Sequence, residues 1–275
     1  MDCVLKYPGA KNRLAPWIVQ YIPKHKVYLE PFAGSLAVLF HKPRCHIETV
    51  NDINEEVTNF FHILRDFPEK LERLLKCTPY SRTEYQRAFE LTDDPMEKAR
   101  RFCIRCWMGI ASANLNKNGF RNGQRENAPN PAKAWAYLPD TAMEAAKRLR
   151  GVQIENLPAL ELISRYNSAD VFIYADPPYL RETRTQKLYK YEMSAEDHVA
   201  LLEELLSHPG KVLLSGYDNM LYNDMLCEWN KVRCRTRADH GSQRIETLWM
   251  NYDAGFQQLS FLDQGNEKCI TQAVK

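Results

Sequence analysis

Val171-Phe172-Ile173-Tyr174-Ala175-Asp176-Pro177-Pro178-Tyr179-Leu180 joins an unbroken apolar run to a proline-stiffened polar turn. A short apolar run bounded by turn residues reads as a strand buried on both faces. Such strands belong to parallel sheets covered by helices, and these sheets bind ligands at the carboxyl ends of their strands. Asp176 sits at that end. Pro177 and Pro178 stop the ladder and hold φ near about −65°, which aims the backbone carbonyl before them in a fixed direction. An acid, a rigid carbonyl and the Tyr179 ring are therefore presented together. Carboxylate and carbonyl both accept hydrogen bonds, so the pair suits an –NH₂ group, and the ring offers a π face to a flat heterocycle. A planar base with an exocyclic amine satisfies all three.

Working outward, strands alternate with helices. Val27–Glu30, His46–Asn51, Val152–Asn156 and Lys211–Ser215 read as strands, and Ile245–Tyr252 as a late strand hairpin-paired with residues near Lys231–Thr236. Ser35–His41 and Glu55–Arg65 read as helices, and Ser194-Ala-Glu-Asp197 as a capping box opening a helix to about Ser207. The alternation predicts a parallel sheet covered on both faces. Between roughly Glu56 and Arg150 the pattern is mostly helical, interrupted by an Asn-, Gly- and Pro-rich loop from Asn114 to Pro131 that suits a short hairpin. The expected organisation is an α/β domain from residues 1–55 and 151–255, a helical insertion over 56–150, and a polar tail over 256–275.

Two further elements carry chemical signals. Glu30-Pro31-Phe32-Ala33-Gly34-Ser35 runs from strand through a Gly turn into a helix, the arrangement of nucleotide sites. Asp52 follows Gly34 by eighteen residues at the end of the next strand, near the spacing at which an acid meets ribose hydroxyls. No G-x-x-x-x-G-K-[ST] loop exists, which argues against an NTPase. Lys6-Tyr7-Pro8-Gly9-Ala10-Lys11 places a Gly turn ahead of a helix expected to end near Tyr21, whose N-terminus and Lys11 would attract a carboxylate.

Composition limits the partners. The 275 residues are 44% hydrophobic and 26% charged with a net charge of +2, an ordinary globular balance. The average conceals polarity: residues 98–150 hold eleven Lys or Arg and three acids, +8, and the remainder of the chain sums to −6. A basic insertion on an acidic body suits phosphate binding. No apolar stretch approaches the length of a spanning helix, and the first residues lack the build of a signal peptide, so a soluble, cytoplasmic chain without membrane partners is expected. The eight cysteines, including Cys103-x-x-Cys106, read as buried thiols and not as a disulfide framework or a metal site. His41, Cys45 and His46 would be scattered by the strand starting at His46.

These motifs, in this order, resemble the Dam-like D12 class of DNA adenine N6-methyltransferases, nearest to the phage and prophage-type branch. The resemblance runs from Tyr7 to about Tyr252. Tyr7-Pro8-Gly9-Ala10-Lys11 matches F/W-x-G-G-K, Glu30–Gly34 matches E-P-F-x-G, Asp52-Ile53-Asn54 matches D-I-N, and Asp176–Tyr179 is the D-P-P-Y motif. Gly216-Tyr217-Asp218 and Arg244-x-Glu246-x-Leu248-Trp249-x-Asn251 also look familial. Ala10 and Leu36 stand where the family carries glycine, both expected in the cofactor pocket. Asn116–Asn122 only loosely resembles the recognition hairpin, so no target sequence carries over.

The resemblance implies a Rossmann-like S-adenosylmethionine-dependent methyltransferase sheet with a helical target-recognition insertion. It implies methyl transfer from S-adenosylmethionine, leaving S-adenosylhomocysteine, to N6 of an adenine flipped out of double-stranded DNA, with no metal. Asp176, Pro177, Pro178 and Tyr179 would be catalytic. Tyr7, Gly9, Lys11, Phe32, Gly34, Asp52 and Asp176 would hold the cofactor. Lys117, Arg121, Arg125, Arg181 and Arg184 would meet DNA, with Lys187 and Lys190 on the same loop as Arg184. A cognate restriction enzyme is a candidate partner. Two other classes also fit: an amino-methylating enzyme acting on RNA adenine, cytosine N4 or a glutamine side chain, and a catalytically silent DNA-binding homologue. The acid before Pro-Pro favours adenine in this analogy, and the retained Asp52 and Asp176 favour an active enzyme.

Overall fold

Val171–Ala175 forms a strand buried along its whole length, one of eight in a single sheet. The computed structural model describes residues 4–110, 119–123, 129–183, 189–237, 243–254 and 272–273. The strands are β1 (Val27–Glu30), β2 (Ile47–Asn51), β3 (Val152–Glu155), β4 (Val171–Ala175), β5 (Lys211–Tyr217), β6 (Asn230–Arg237), β7 (Gln243–Met250) and β8 (Gln272–Ala273). Their order is β3-β2-β1-β4-β5-β7-β6-β8. The first five pair in parallel, while β7 runs antiparallel to β5 and β6. Strand order reverses between β1 and β4, and a crevice opens at such a switch point. The mixed α/β sheet is of the Rossmann-like class that the resemblance implies, and its first five strands form the parallel sheet that the alternation predicts. The polar tail, to which the sequence assigned no element, contributes β8, which pairs with Val232 and Arg233.

Side-chain alternation assigns the two faces of the sheet. Tyr28, Val50, Phe172, Leu213, Leu248 and Met250 face one core. Leu29, Ile173, Ala175, Val212, Leu214 and Trp249 face the other, beneath α9 (Ala159–Arg165), α10 (Ala195–Ser207) and α11 (Met220–Met225). The predicted capping box is present on α10, where Ser194 and Asp197 satisfy each other's backbone amides.

The segment after β2 supplies α3 (Glu55–Asp66), α4 (Pro68–Cys77), α5 (Arg82–Arg87), α6 (Pro95–Met108), α7 (Pro131–Ala136) and α8 (Leu138–Leu149). Its apolar residues belong to the same core cluster as the first sheet face. Every residue of α6 from Phe102 to Met108 is buried, which explains its mixed faces and gives Cys103 and Cys106 a packing role outside any disulfide. Cys234 departs from the expected pattern, being disulfide-bonded. Of the expected hairpin, the described part is an antiparallel bridge between Gly109 and Phe120. Among the described residues no group of three or more His, Cys, Asp or Glu could hold a metal, and no helix is long and apolar enough to cross a membrane.

The charge reading needs correction. Arg100 and Arg101 pair with Glu97, Arg100 also with Glu84, Arg105 with Glu56, and Arg148 with Glu48. All four acids lie outside the 98–150 window that produced +8. Over residues 56–150 the count is 17 basic against 12 acidic residues. Much of the local excess is internal strutting.

One strut joins the helices to the sheet. Buried Glu48 on β2 accepts from Lys42 at 2.6 Å and from Arg148 on α8 at 2.6 and 2.8 Å. Burial works against the Glu48 charge, but these cations outweigh it and hold its pKa below the usual range. Arg44 closes the end of α8 by donating to the carbonyls of Lys147, Arg148 and Arg150. Breaking one member of a buried ion cluster costs about 3–5 kcal/mol, because it strands the opposite charges. Glu48→Gln should therefore lower the melting temperature at pH 7 markedly. A carboxyl with a depressed folded pKa contributes stability above its unfolded pKa and loses it as pH falls through the folded value. The melting gap between wild type and Glu48→Gln should accordingly close in acid, as thermal melts across pH would read.

Candidate active site

The carboxyl ends of β1, β2 and β4 converge on one cavity. Its lining includes Tyr7, Gly9, Lys11, Phe32, Gly34, Asp52 and Asp176, so all seven residues expected to hold a cofactor meet at one place. Glu30, Ile53, Asn54, Tyr174, Pro178, Tyr189 and Met193 complete most of the wall.

Backbone geometry shapes the floor. Asn51 at the end of β2 donates to the carbonyls of Pro31 and Leu157, tying the turns after β1 and β3 together. Ala33 N donates to Asn51 O at 2.7 Å. Both carboxylate oxygens of Asp52 are engaged, Oδ2 by Gly34 N and Oδ1 by Asn54 N, each at 2.9 Å. Burial nevertheless outweighs these two donors and lifts Asp52 to about 6. Gly34 has φ +47, and a Cβ there would touch the Tyr7 ring at 3.4 Å. Gly9 has φ +70, and a Cβ there would lie 2.1 Å from the Tyr189 hydroxyl oxygen.

Two expectations change here. Leu36 does not line the cavity; it is fully buried in the core and adopts φ 57, ψ 27, the left-handed conformation a glycine would take freely. The turn thus keeps a glycine-like backbone while its side chain is used for packing. Ala10, by contrast, does line the cavity. The helix expected from Lys11 is only five residues long, Ala15–Val19, because Pro16 is tolerated only in a first turn and so sets the start. Lys11 precedes it in a turn, and its ammonium points into the site and not along a helix axis.

That ammonium is the centre of a polar cluster. Lys11 Nζ lies 2.8 Å from Asp176 Oδ2 and 3.7 Å from Glu246 Oε1, donates to Gly9 O at 3.1 Å, and sits 4.6 Å from the centre of the Tyr179 ring. Burial opposes the charge on Lys11, but Asp176 and Glu246 together raise its pKa above the ordinary lysine value. Ser215 on β5 donates to Asp176 Oδ1 at 2.8 Å and contacts Tyr174 OH at 3.2 Å. Tyr179 is buried with its hydroxyl donating to Glu246, and its ring meets Tyr217 edge-on at 4.6 Å. Pro178 lines the cavity, whereas Pro177 and Tyr179 are not among its lining residues.

Sequence reading assigned no role to Glu30, Ser215, Tyr189 or Glu246. Glu246 carried a usable signal: it shares a strand face with Leu248 and Met250, and a carboxylate on a core face needs partners. Burial and the nearby Asp176 lift it to about 7 against the pull of Lys11. The other residues carried no comparable pattern. Of the residues expected at DNA, Lys117, Arg125, Arg184 and Lys187 lie outside the described residues. Arg121 is half-buried and donates from Nε to Gly109 O at 3.0 Å, while Arg181 is exposed on a 3₁₀ turn just after the proline motif. Lys190 is also exposed.

A sheet of this order, with an acid-Pro-Pro-Tyr turn at its switch point beside a cavity, is what the resemblance noted in the sequence implies. The chain matches the family described as D12 class N6 adenine-specific DNA methyltransferase over residues 7–234, and it belongs to that family. It is 25% identical over 291 residues to the type II methyltransferase M.MjaIII of Methanocaldococcus jannaschii, covering 90% of this chain and 98% of that protein. It is 27% identical over 260 residues to the type II methyltransferase M1.LlaDCHI of Lactococcus lactis subsp. cremoris, covering 86% of this chain and 89% of that one. The protein is thus a DNA methyltransferase.

Glu30 shows what such a site demands of the fold. Buried beside Asp176 at the end of β1, and accepting from Tyr28 OH at 2.8 Å, it is raised from 4.5 to about 8, chiefly by burial. An acid whose folded pKa lies above its unfolded value makes the native state bind the extra proton, so stability falls as pH rises between those two values. Glu30→Gln removes this titration. Its melting temperature should increasingly exceed that of wild type from pH 5 to pH 9, and an unchanged gap across that range would refute the assignment.

Proposed function

We propose that the cavity binds S-adenosylmethionine and that Asp176 receives the N6 amino group of an adenine flipped out of double-stranded DNA. The observation that carries this reading is the convergence of Asp52, Lys11 and Asp176 on one cavity at the sheet's switch point. When bound, that cofactor supplies an electrophilic methyl group on a positively charged sulfur. The residues fit it. Glycine at 9 and 34 leaves the backbone open where a Cβ would meet Tyr189 or Tyr7. Asp52, held by two amides, presents an acceptor for ribose hydroxyls. Phe32 and the 40%-exposed Ile53 provide apolar walls for a flat ring.

The N6 lone pair of adenine is delocalised into the ring, so the amine is a weak nucleophile. Asp176 and the Pro177 carbonyl accept its two N–H bonds and favour a more tetrahedral nitrogen with its lone pair free to attack. Ser215 and Lys11 fix the Asp176 carboxylate, so the acceptor is preorganised before the base arrives. Tyr179, clamped by Glu246 and Tyr217, supplies an immobile ring beside the base. An amine buried in a duplex is out of reach, so the base leaves the stack. Helices α3–α8 with the loop they carry act as the target-recognition part, and Lys117, Arg121, Arg125, Arg181 and Arg184 meet phosphates. A cognate restriction enzyme is the expected biological counterpart, since both relatives described above are type II methyltransferases by name.

Asp176→Ala should reduce N6-methyladenine formation on the order of a hundredfold or more while leaving the melting profile cooperative. Asp52→Ala should chiefly weaken S-adenosylmethionine binding in calorimetry. Methyl incorporation followed by nucleoside mass spectrometry reads the first, and wild-type turnover by Asp176→Ala sinks its role. A separate expectation concerns DNA. Replacing Arg121 and Arg125 by Ala should weaken duplex binding and flatten the slope of log affinity against log salt by about 1–2. Unchanged affinity and slope would remove them from the interface.

A further inference from the structure

A lysine paired to the acceptor carboxylate raises a difficulty for the chemistry. Lys11 and Asp176 are 2.8 Å apart and both largely buried, so their charges cancel at close range. The reacting amine needs the opposite. N6 forms a bond to the donor methyl as the methyl's bond to sulfur breaks and the bonding pair stays on sulfur. Positive charge thereby passes onto N6, which afterwards releases one proton to solvent. An electroneutral ion pair is a poor counter-ion for that charge. Glu246 alters the balance. Its Oε1 lies 3.7 Å from Lys11 Nζ and accepts from the Tyr179 hydroxyl, and it does not line the cavity.

We propose that Glu246 is a positioning residue that offsets the charge of Lys11, so that the Asp176 carboxylate retains a net negative charge for the amine. The inference rests on the reading that Asp176 receives N6. With Asp176 and Glu246 ionised and Lys11 protonated, the cluster carries −1. Without the Glu246 charge it carries zero. At the few-ångström separations of a buried site such a difference is worth a large factor in rate. Lys11 is needed to bring two carboxylates into one small volume, and the Tyr179 hydroxyl holds Glu246 at the distance where it offsets Lys11 without reaching the cavity.

Titration supports the assignment. The charged or titratable groups facing Glu246 are Lys11 from the N-terminal segment, Tyr174 on β4, Asp176 and Tyr179 after it, and Tyr217 on β5; Cys234, opposite it on β6, is disulfide-bonded and does not titrate. Lys11 is held charged and Tyr174 and Tyr179 are pushed above their ordinary values, while Glu246 is lifted to about 7, so its charge changes near neutrality.

The test uses the full chain with duplex DNA and radiolabelled S-adenosylmethionine, reading kcat, the KM for DNA and the calorimetric affinity for the cofactor. Glu246→Gln should lower kcat about 10- to 100-fold with KM little changed. Lys11→Met/Glu246→Gln, which again leaves Asp176 unopposed, should recover kcat by about tenfold over Glu246→Gln, read at saturating cofactor. Wild-type kcat should fall below pH 7, and Glu246→Gln should lack that limb. Wild-type kcat in Glu246→Gln, or a double variant no faster than the single one, overturns the proposal. Should Glu246→Gln fail to fold, Glu246→Asp carries the test. It keeps the charge, so it must retain the acid limb and most of kcat, and loss of both overturns the proposal. Absence of N6-methyladenine with the wild-type protein would instead overturn the reading on which the inference rests.

Discussion

The ion pair between Lys11 and Asp176 joins the first ordered turn of the chain to the end of the central strand, and the geometry of the site follows from it. Lys11 is buried and Asp176 mostly so, and each is compensated by protein groups. Lys11 is met by Asp176, Glu246 and the Gly9 carbonyl, and Asp176 by Lys11 and Ser215. These partners come from the N-terminal segment, the turn after β4, β5 and β7. The antiparallel insertion of β7 beside β5 puts Glu246 opposite Tyr217 and within reach of Tyr179. A sheet ending at β5 would leave Lys11 with one carboxylate in place of two.

This concentration of polar groups works against stability, and the cores on either face offset it. Glu30, Asp52 and Glu246 all sit with pKa values raised by burial, so each loses free energy on folding at neutral pH. Leu36 adds backbone strain of about 1–2 kcal/mol by occupying the left-handed region. Its side chain, fully buried, returns a comparable or larger amount of apolar burial. Replacement of glycine at this turn therefore exchanges conformational ease for packing, leaving the cavity floor, built by Gly34, Asp52 and Asn51, in place.

What was legible in the sequence is local. β1, β4 and the capping box were readable because apolar runs and N-cap chemistry act over a few residues. The acid of each motif was readable because strand ends in a parallel sheet face the same crevice. Less legible were partners set by tertiary approach. Glu246 lies far from Lys11 in sequence, and its pairing depends on the register of β7 against β5. Helix α1 (Ala15–Val19) is shorter than the helix expected from the Gly turn to about Tyr21, because Pro16 limits where a helix can begin. Tyr179 reads as a free stacking ring in isolation, and is instead anchored by its hydroxyl to a strand the motif does not contain.

The charge of the inserted helices carries the same lesson for DNA binding. A count over a window of sequence treats every arginine as available to phosphate. In the fold, Arg100 and Arg101 pair with Glu97 within α6, Arg100 also ties α6 to Glu84 on α5, Arg105 ties α6 to the start of α3, and Arg148 ties α8 to β2. A guanidinium already paired with a buried or half-buried carboxylate releases no counterion when DNA arrives, so it adds little to the salt-dependent affinity. It contributes in another way, by holding the helices to the edge of the sheet that ends in the site. Lys98, Lys133, Lys147 and Arg150, by contrast, are exposed, and an exposed cation can exchange its counterions for phosphate. Affinity for DNA thus depends on which cations the fold leaves outward, while those it turns inward fix how the helices pack on one another and on the sheet.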